Sequence, residues 1–232
     1  MSDSADRKLR LYTGVSSAIA AVFGQYRTKL FVEKAYWRWQ QWKEGKFSHG
    51  HYAPFYTQLF GLTVEDYQGK SILDIGCGPR GSLEWCTMAA RRVGLDPLAE
   101  SYRRMNPNLQ MELVEGGAES IPFSDDSFDK VTCFNALDHV DDLAKSLSEI
   151  HRVLKKGGDF LLITDIHETP AVCEPTVIDW DLAIQLKSSY QCVMEKRLKR
   201  YTRIYDSITR NEEYDADSGA SYGLLILQLK KR

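Results

Sequence analysis

Residues 71–81 read Ser-Ile-Leu-Asp-Ile-Gly-Cys-Gly-Pro-Arg-Gly, a short apolar run that stops at a glycine-rich loop. The run has the length and composition of a buried parallel strand. Gly76 and Gly78 let the backbone come close to a ligand, which a Cβ atom would prevent. Ligands of open α/β sheets bind at the carboxyl ends of the strands, so this loop is the first candidate for a binding site.

Strands and helices alternate on both sides of this loop, over residues 70–165. In a chain of 232 residues, this alternation predicts right-handed βαβ units and a mostly parallel sheet. One helix carries Leu143, Leu147 and Ile150 on one face, with Asp141 as its predicted cap and Gly157-Gly158 at its end. The other predicted strands are 93–96, 109–114, 128–134, 159–164, 191–198 and 222–229; the other helices lie near 82–90, 98–105 and 179–189.

The first 69 residues have a different pattern, which predicts a helical extension. Residues 15–44 place aromatic side chains at helical spacing in two rows, one through Phe23, Tyr26 and Trp37, the other through Phe31 and Trp42. Aromatic residues at such spacing usually belong to a core, and we expect that for most of them. A shorter helix is predicted at 55–62. We therefore divide the chain into 1–69, a cap over the carboxyl edge, and 70–232.

The composition excludes several classes of partner. Thirty basic and 32 acidic residues give a net charge of −2, which lacks the electrostatic signature of nucleic-acid binding. No apolar run reaches the length of a membrane span, and the first residues lack a signal peptide's apolar core. The five cysteines are odd in number and follow no metal-ligand spacing. We expect a cytoplasmic monomer or homodimer with free thiols, no metal, no membrane partner and no nucleic-acid partner.

The loop Gly76-Cys-Gly78-Pro-Arg-Gly81 matches the dinucleotide pattern G-x-G-x-x-G, and Asp96 follows the first glycine by 20 residues. One residue argues against a dinucleotide. Asp74 lies near the carboxyl end of the strand, where its carboxylate would repel a pyrophosphate on the glycine loop. A cofactor that has an ammonium group and no phosphate would instead be attracted. S-adenosylmethionine is such a cofactor.

Five segments, in order, resemble the motifs of class I S-adenosylmethionine-dependent methyltransferases. They are Leu73-Asp-Ile-Gly-Cys-Gly78, Val93-Gly-Leu-Asp96, the segment Gly117-Ala-Glu-Ser-Ile-Pro-Phe that continues to Asp129, Phe134-Asn-Ala-Leu-Asp-His-Val140, and Glu149-Ile-His-Arg-Val-Leu-Lys-Lys-Gly-Gly158. The resemblance covers about residues 70–165. It implies an α/β fold with a doubly wound, mostly parallel seven-stranded sheet, an antiparallel last strand at 222–229 and a helical N-terminal cap.

The resemblance also implies which residues hold the cofactor. Asp96 would accept hydrogen bonds from the ribose hydroxyls, and the amide of Ala118 would meet the adenine ring. Many relatives carry an aspartate where this chain has Gly117, and Glu119 is the substitute we weigh. Asn135 and Leu137 would lie beside the methionine portion. The full predicted set is Asp74, Gly76, Cys77, Gly78, Asp96, Pro97, Ala118, Glu119, Asn135 and Leu137.

Methyl transfer from a sulfonium mainly requires alignment, and it requires a base only when the acceptor must lose a proton. Candidate bases follow strands four and five of the predicted sheet: His139 with Asp138, and His167 with Asp165. His49 and His51 of the N-terminal loop are weighed as well. For the acceptor we expect a pocket lined by Trp37, His51 and Tyr52, with the loop Cys173-Glu-Pro175 as a lid.

We expect the acceptor to be an oxygen or nitrogen atom of a small molecule. Methyltransferases that act on base amino groups carry Asn/Asp-Pro-Pro-aromatic after strand four, where this chain has Asn135-Ala-Leu-Asp138. Nucleic acid is therefore disfavoured on a second ground. A catalytically silent binding or sensor protein, a protein or peptide methyltransferase and a non-methyl transfer from the same cofactor stay open as alternatives.

Overall fold

The computed structural model describes residues 24–218 and 222–232, and a seven-stranded sheet forms its centre. The strand order is β3-β2-β1-β4-β5-β7-β6; the pairs from β3 to β5 are parallel, and β7 pairs antiparallel with β5 and β6. The predicted fold class is therefore confirmed, including the antiparallel last strand. The strands are β1 Ser71–Ile75, β2 Arg91–Asp96, β3 Glu112–Glu115, β4 Phe128–Phe134, β5 Leu154–Ile166, β6 Tyr190–Lys199 and β7 Gly223–Lys231.

Helices cover both faces of the sheet and its carboxyl edge. One face buries apolar side chains of β4, β5 and β7 with those of α4 and α5, and the other packs against α3 and the segment before β1. Within the described ranges, no helix combines the length and apolarity that crossing a bilayer requires. The helices are α1 Gln25–Glu44, α2 Ala53–Tyr56, α3 Ala99–Met105, α4 Leu143–Val153, α5 Asp181–Leu186 and α6 Ile204–Arg210, with 3₁₀ turns at Gln58–Phe60, Val64–Tyr67, Leu137–His139 and Ala216–Ser218.

The helix predicted near 82–90 is wrong, since residues 76–90 form a series of turns between β1 and β2. Two tertiary contacts compete with a helix there. The Glu84 carboxylate accepts hydrogen bonds from the backbone amides of Gln110 and Met111, at 2.9 and 2.7 Å. Arg92 donates to the carbonyl oxygens of Leu83 and Glu84, which a helix would use internally. The glycine loop is consequently not followed by a helix N-terminus.

The ends of α4 also differ from the prediction. Its cap is Asp142, whose carboxylate accepts from the backbone amide of Lys145, and Asp141 instead forms an ion pair with Lys29. The helix ends at Val153 and the chain enters β5 at once. Gly157, with φ of 75°, lies inside β5 where the register against β4 shifts, so it marks a bulge rather than a helix end.

The expected burial of the aromatic rows on α1 is wrong for most of their described members, including Tyr26, which is 49% exposed. Trp37 packs against the sheet edge, whereas Phe31, Trp39 and Trp42 are 67%, 51% and 81% exposed. The reason is that α1 touches the rest of the molecule along one stripe of its surface. Phe23 lies outside the described residues. All five cysteines are free, as expected.

Candidate functional site

The glycine loop packs tightly against Ala136, which lies two residues after the end of β4. Gly76 has φ of 70°, and a Cβ atom built on it would lie 2.2 Å from the Cβ of Ala136. Its amide also donates to the carbonyl of Leu95 at the end of β2, at 2.8 Å. Only glycine fits this position, both in backbone angle and in space. The ends of β1, β2 and β4 therefore converge at one point of the carboxyl edge.

Asp74 is a buried junction beneath this loop. Its carboxylate accepts hydrogen bonds from the hydroxyls of Thr132 (2.5 Å), Tyr56 (3.1 Å) and Ser82. Burial raises its pKa to about 6, although the three hydroxyl donors favour the ionised form. The side chain thus ties β1 to β4, α2 and the loop after β1. Its attraction for a cofactor ammonium stays a prediction, and Tyr56 was not predicted as its partner.

Asp96 ends β2 and faces the glycine loop. One carboxylate oxygen accepts from the amide of Leu98 at 2.9 Å, and the other accepts from the amide of Gly78 at 3.3 Å. Burial raises the pKa of Asp96 to about 7. Pro97 follows it and is half-buried. A carboxylate in this place can still accept hydrogen bonds from ligand hydroxyls, because each oxygen has two lone pairs.

At the predicted adenine position, Gly117 stands where many relatives have an aspartate, and the Glu119 side chain lies beside it. A Cβ atom on Gly117 would lie only 2.7 Å from Oε2 of Glu119, so the Glu119 carboxylate fills the space beside Gly117. Its other oxygen accepts from the amide of Asp141 at 2.8 Å, which fixes its direction. Ala118 between them is 4% exposed. The geometry matches the substitution that the sequence suggested, while the contact itself stays a prediction.

Asn135 follows β4 in a backbone conformation that non-glycine residues rarely adopt, with φ of 53°. Its amide donates to the carbonyl of Ile163 at 2.7 Å. The side-chain oxygen is buried and has no hydrogen-bond partner among the described residues. Leu137, two residues on, is fully buried. An orphaned buried acceptor of this kind marks a place where a ligand donor fits.

Helix α1 crosses the carboxyl edge above these strand ends. A Cβ atom on Gly78 would lie 3.4 Å from the indole of Trp37, and the indole nitrogen donates to Glu33 at 2.9 Å. Lys29 donates to the carbonyl of His139 at 2.8 Å and to Asp141 at 2.7 Å. Sequence analysis missed Glu33 and Lys29. Their only signal was that they share a helical row with Tyr26 and Trp37.

A second aromatic group, formed by His51, Tyr52, Phe55 and Tyr205, lies beside Tyr56. The rings of His51 and Tyr52 are 4.3 Å apart, and those of Phe55 and Tyr205 are 4.6 Å apart. Tyr205 was not predicted, and His49 is exposed. A cleft of about 180 Å³ opens elsewhere, between α1 and α3, and its lining includes Lys34, Arg38 and Arg104 but neither Trp37 nor the glycine loop.

The predicted bases after β4 and β5 come together around one buried carboxylate. His139 Nε2 lies 3.9 Å from one oxygen of Asp138, and His167 Nε2 lies 4.0 Å from the other. Burial raises the pKa of Asp138 to about 6. Glu174, which was not predicted as a site residue by itself, brings a carboxylate oxygen within 4.8 Å of the Asp138 and His139 ligand atoms. Asp165 is elsewhere engaged, since Arg200 donates to both of its oxygens.

Comparisons with known proteins agree with this architecture. Residues 73–162 match the family model described as a methyltransferase domain. The uncharacterized methyltransferase YcgJ of Bacillus subtilis is 36% identical over 108 residues, 44% of this chain and 43% of that protein. A demethylmenaquinone methyltransferase of Lysinibacillus sphaericus is 37% identical over 101 residues, 39% of this chain and 42% of that protein. The chain therefore spans less than half of the length of these two relatives.

Solved structures show the same fold. The crystal structure of YcgJ aligns with a TM-score of 0.53 at 22% identity, covering 75% of this chain and 98% of that one. A geranyl diphosphate C-methyltransferase from Streptomyces coelicolor, solved with Mg²⁺, geranyl diphosphate and S-adenosylhomocysteine, aligns with a TM-score of 0.56 at 16% identity, covering 73% of this chain and 75% of that one. At these identities the likeness concerns the fold alone.

Proposed function

We propose that this chain, which contains a class I S-adenosylmethionine-dependent methyltransferase domain, transfers the methyl group of that cofactor to an oxygen or nitrogen atom of a small molecule. The observation that carries the proposal is the Asp96 carboxylate, which ends β2 and faces the amide of Gly78. A carboxylate in that place suits the two hydroxyls of a ribose. The bound cofactor supplies a methyl group activated by a sulfonium.

The surroundings of the glycine loop fit a cationic cofactor better than a dinucleotide. Residues 76–90, all of which the structure describes, form turns and offer no helix N-terminus to a pyrophosphate. The cation of the loop, Arg80, is engaged by both oxygens of Glu44, at 2.5 and 2.7 Å. The unpartnered Asn135 oxygen and the Asp74 and Asp96 carboxylates favour a positive charge instead.

Different residues of the site would bind different parts of the cofactor. Asp96 would hold the ribose, the Ala118 amide and Glu119 would meet the adenine, and the Asn135 oxygen would accept from the ammonium. Trp37 would cover the ligand from above, because its indole lies over Gly78. The remaining members of the predicted set, in the loop and at its flanks, are Asp74, Gly76, Cys77, Gly78, Pro97 and Leu137.

The acceptor would lie between the strand ends and the N-terminal segment. Trp37, His51 and Tyr52, joined by Tyr205, present aromatic walls, so an acceptor with an apolar or aromatic part suits this side. A hydroxyl acceptor must lose its proton, and His139 or His167 beside Asp138 would take it. An amine that arrives neutral needs only positioning.

Calorimetry with S-adenosylhomocysteine tests the cofactor site. Asp96→Ala should weaken binding at least about tenfold, since each charge-assisted hydrogen bond contributes about 1.5–3 kcal/mol. The control is Asp181→Ala, which removes an exposed carboxylate at the start of α5. Tight binding of a nicotinamide dinucleotide, or unchanged affinity in Asp96→Ala, would overturn the proposal.

A transfer assay with methyl-labelled cofactor tests the activity. The protein is incubated with a small-molecule extract of the producing cells and, separately, with their protein fraction, and the label is followed by mass analysis. Label in the small-molecule fraction supports the proposal. Label in the protein fraction favours a protein methyltransferase, and tight cofactor binding with no transfer to either fraction favours a silent sensor.

A further inference from the structure

The buried carboxylate of Asp138 is the least satisfied group beside the proposed acceptor site. Its side chain is 0% exposed, and both oxygens lack a hydrogen-bond partner among the described residues. A buried carboxylate is costly unless it is paired, hydrogen-bonded or bound to a metal. Lys29 does not neutralise it, because its ammonium is bound by Asp141 and by the carbonyl of His139.

A second unpartnered group is aimed at this carboxylate. His167 is 6% exposed, and its Nδ1 lies 3.0 Å from the carbonyl oxygen of Thr169. A carbonyl oxygen only accepts, so Nδ1 carries the hydrogen and, in the neutral ring, Nε2 holds a free lone pair. That Nε2 is buried, has no partner and lies 4.0 Å from Asp138. Metal-bound histidines almost always have this arrangement, with the other ring nitrogen donating to a carbonyl or carboxylate.

Two further donors complete the group. A ring nitrogen of His139 and a carboxylate oxygen of Glu174 lie, with an oxygen of Asp138, within 4.8 Å of one another. Ligand atoms that share a tetrahedral metal at 2.0–2.1 Å are roughly 3.4 Å apart. Side-chain rotations that move these atoms by roughly 1 Å would bring them to that separation. Glu174 has no hydrogen bond or ion pair from its side chain to any described residue.

The backbone around these donors is fixed from both sides. The amide of Thr176 donates to the carbonyl of Asp138 at 3.2 Å, and its hydroxyl donates to the carbonyl of Val140 at 2.6 Å. These bonds attach the segment carrying Glu174 to the 3₁₀ turn Leu137–His139. Donors held on a fixed backbone pay less ordering entropy when a ligand binds.

From this geometry we propose that Asp138, His139 and Glu174 form a binding site for one first-row transition-metal dication, with Zn²⁺ as the reference ion, and that His167, beside the other oxygen of Asp138, supplies a fourth donor. Two imidazoles and two carboxylates suit Zn²⁺, Fe²⁺ or Mn²⁺, whereas Mg²⁺ and Ca²⁺ prefer oxygen ligands alone. The cysteine spacing gave no signal for a metal, because the ligands come from the turn after β4 and the loop after β5, and none is a cysteine.

The test is calorimetry of Zn²⁺, and separately Mg²⁺, into the untagged full-length protein after chelation and dialysis, with metal content checked by elemental analysis. We expect one Zn²⁺ per chain and no comparable Mg²⁺ binding. Glu174→Gln and His139→Gln should each lower the Zn²⁺ affinity by at least about tenfold. The matched control is Glu168→Gln, an exposed glutamate of the same loop, which should bind as the wild type does.

Zn²⁺ binding by the Cys173 thiolate is the main alternative explanation for a positive result, since Cys173 precedes Glu174 and is half-buried. Cys173→Ser should keep full Zn²⁺ affinity, and the Co²⁺ form should lack the thiolate charge-transfer absorption. Asp138→Asn, which preserves shape, should abolish binding while the far-ultraviolet circular dichroism stays unchanged; if that variant does not fold, the Glu174 and His139 variants decide. Absence of stoichiometric Zn²⁺ binding, affinity unaffected by both variants, or loss in Cys173→Ser would each overturn the site.

Metal binding is independent of the proposed methyl transfer, because calorimetry needs neither cofactor nor acceptor. It does bear on one assignment. A ring nitrogen that holds a metal cannot accept a proton, so a bound dication would replace His139 and His167 as the group that activates a hydroxyl acceptor.

Discussion

Replacing Gly76 by alanine tests whether the glycine loop is locked against the end of β4. Glycine at φ of 70° pays no left-handed penalty, whereas other residues pay roughly 1–2 kcal/mol there. The new Cβ would also lie 2.2 Å from that of Ala136, more than 1 Å inside the ordinary carbon–carbon separation of roughly 3.5 Å. Overpacking of this kind typically costs about 1–3 kcal/mol. We therefore expect Gly76→Ala to lower the free energy of unfolding by about 2–5 kcal/mol, measured by urea denaturation.

Gly157 supplies a matched control, because its φ is 75° and a Cβ atom there meets nothing within 4 Å. Gly157→Ala should cost only the backbone contribution of about 1–2 kcal/mol. Adding Ala136→Gly to Gly76→Ala should restore about 1–3 kcal/mol beyond additivity, because the clashing carbon is removed. The interlock is refuted if Gly76→Ala costs no more than Gly157→Ala, or if the double variant shows no such coupling.

Three other changes address the neighbouring groups. Asp96 should give cofactor binding a pH dependence: its pKa of about 7 keeps the free carboxyl protonated at lower pH, and ribose hydroxyls need the ionised form. Affinity for S-adenosylhomocysteine, measured by calorimetry, should fall as the pH drops from about 8 to 6, and Asp96→Asn should bind weakly at both. Lys29→Met should lose about 1–3 kcal/mol of unfolding free energy in urea, more than the exposed Lys43→Met, because a charged hydrogen bond to His139 and an ion pair disappear. Glu119→Ala should weaken calorimetric binding of S-adenosylhomocysteine, whereas the exposed Glu65→Ala should not.

The strands could be predicted because a buried parallel strand is recognisable as a short apolar run in the sequence. Ser71–Ile75 and Phe128–Phe134 are apolar runs that end in glycine or polar loops, and both occur in the structure at the predicted bounds. The doubly wound arrangement of the sheet and the antiparallel last strand did not follow from those runs. They came from the family resemblance, since local patterns carry no information about which strands pair.

The helix predicted near 82–90 failed for a reason that no local pattern contains. Its apolar residues are compatible with a helix, but Glu84 and Arg92 bond to backbone groups that lie 8 to 27 residues away. Tertiary hydrogen bonds overrode propensity, as they readily do in a short segment. The absence of a helix at 82–90 favours S-adenosylmethionine over a dinucleotide, because a glycine loop without a following helix is a poor pyrophosphate site.

The exposed aromatic residues of α1 also show that local sequence patterns do not predict tertiary contacts. Periodicity indicates that α1 has an apolar stripe, but it does not say how wide the contact beneath will be. Trp37 packs against the carboxyl edge of the sheet, whereas Tyr26 of the same row and Phe31 and Trp42 of the other row are exposed.

The histidine–carboxylate group marks where sequence reasoning about the site ends. Asp138, His139 and His167 were each singled out by their places after β4 and β5, and the parallel pairing of those strands explains why they meet. Glu174 could not be found in this way, because it reaches Asp138 only through the hydrogen bonds of Thr176 to the turn after β4. A base needs one histidine near the acceptor, whereas a metal needs three or four donors around one point. Deciding between these two chemistries therefore requires the position of Glu174, which only the folded chain supplies.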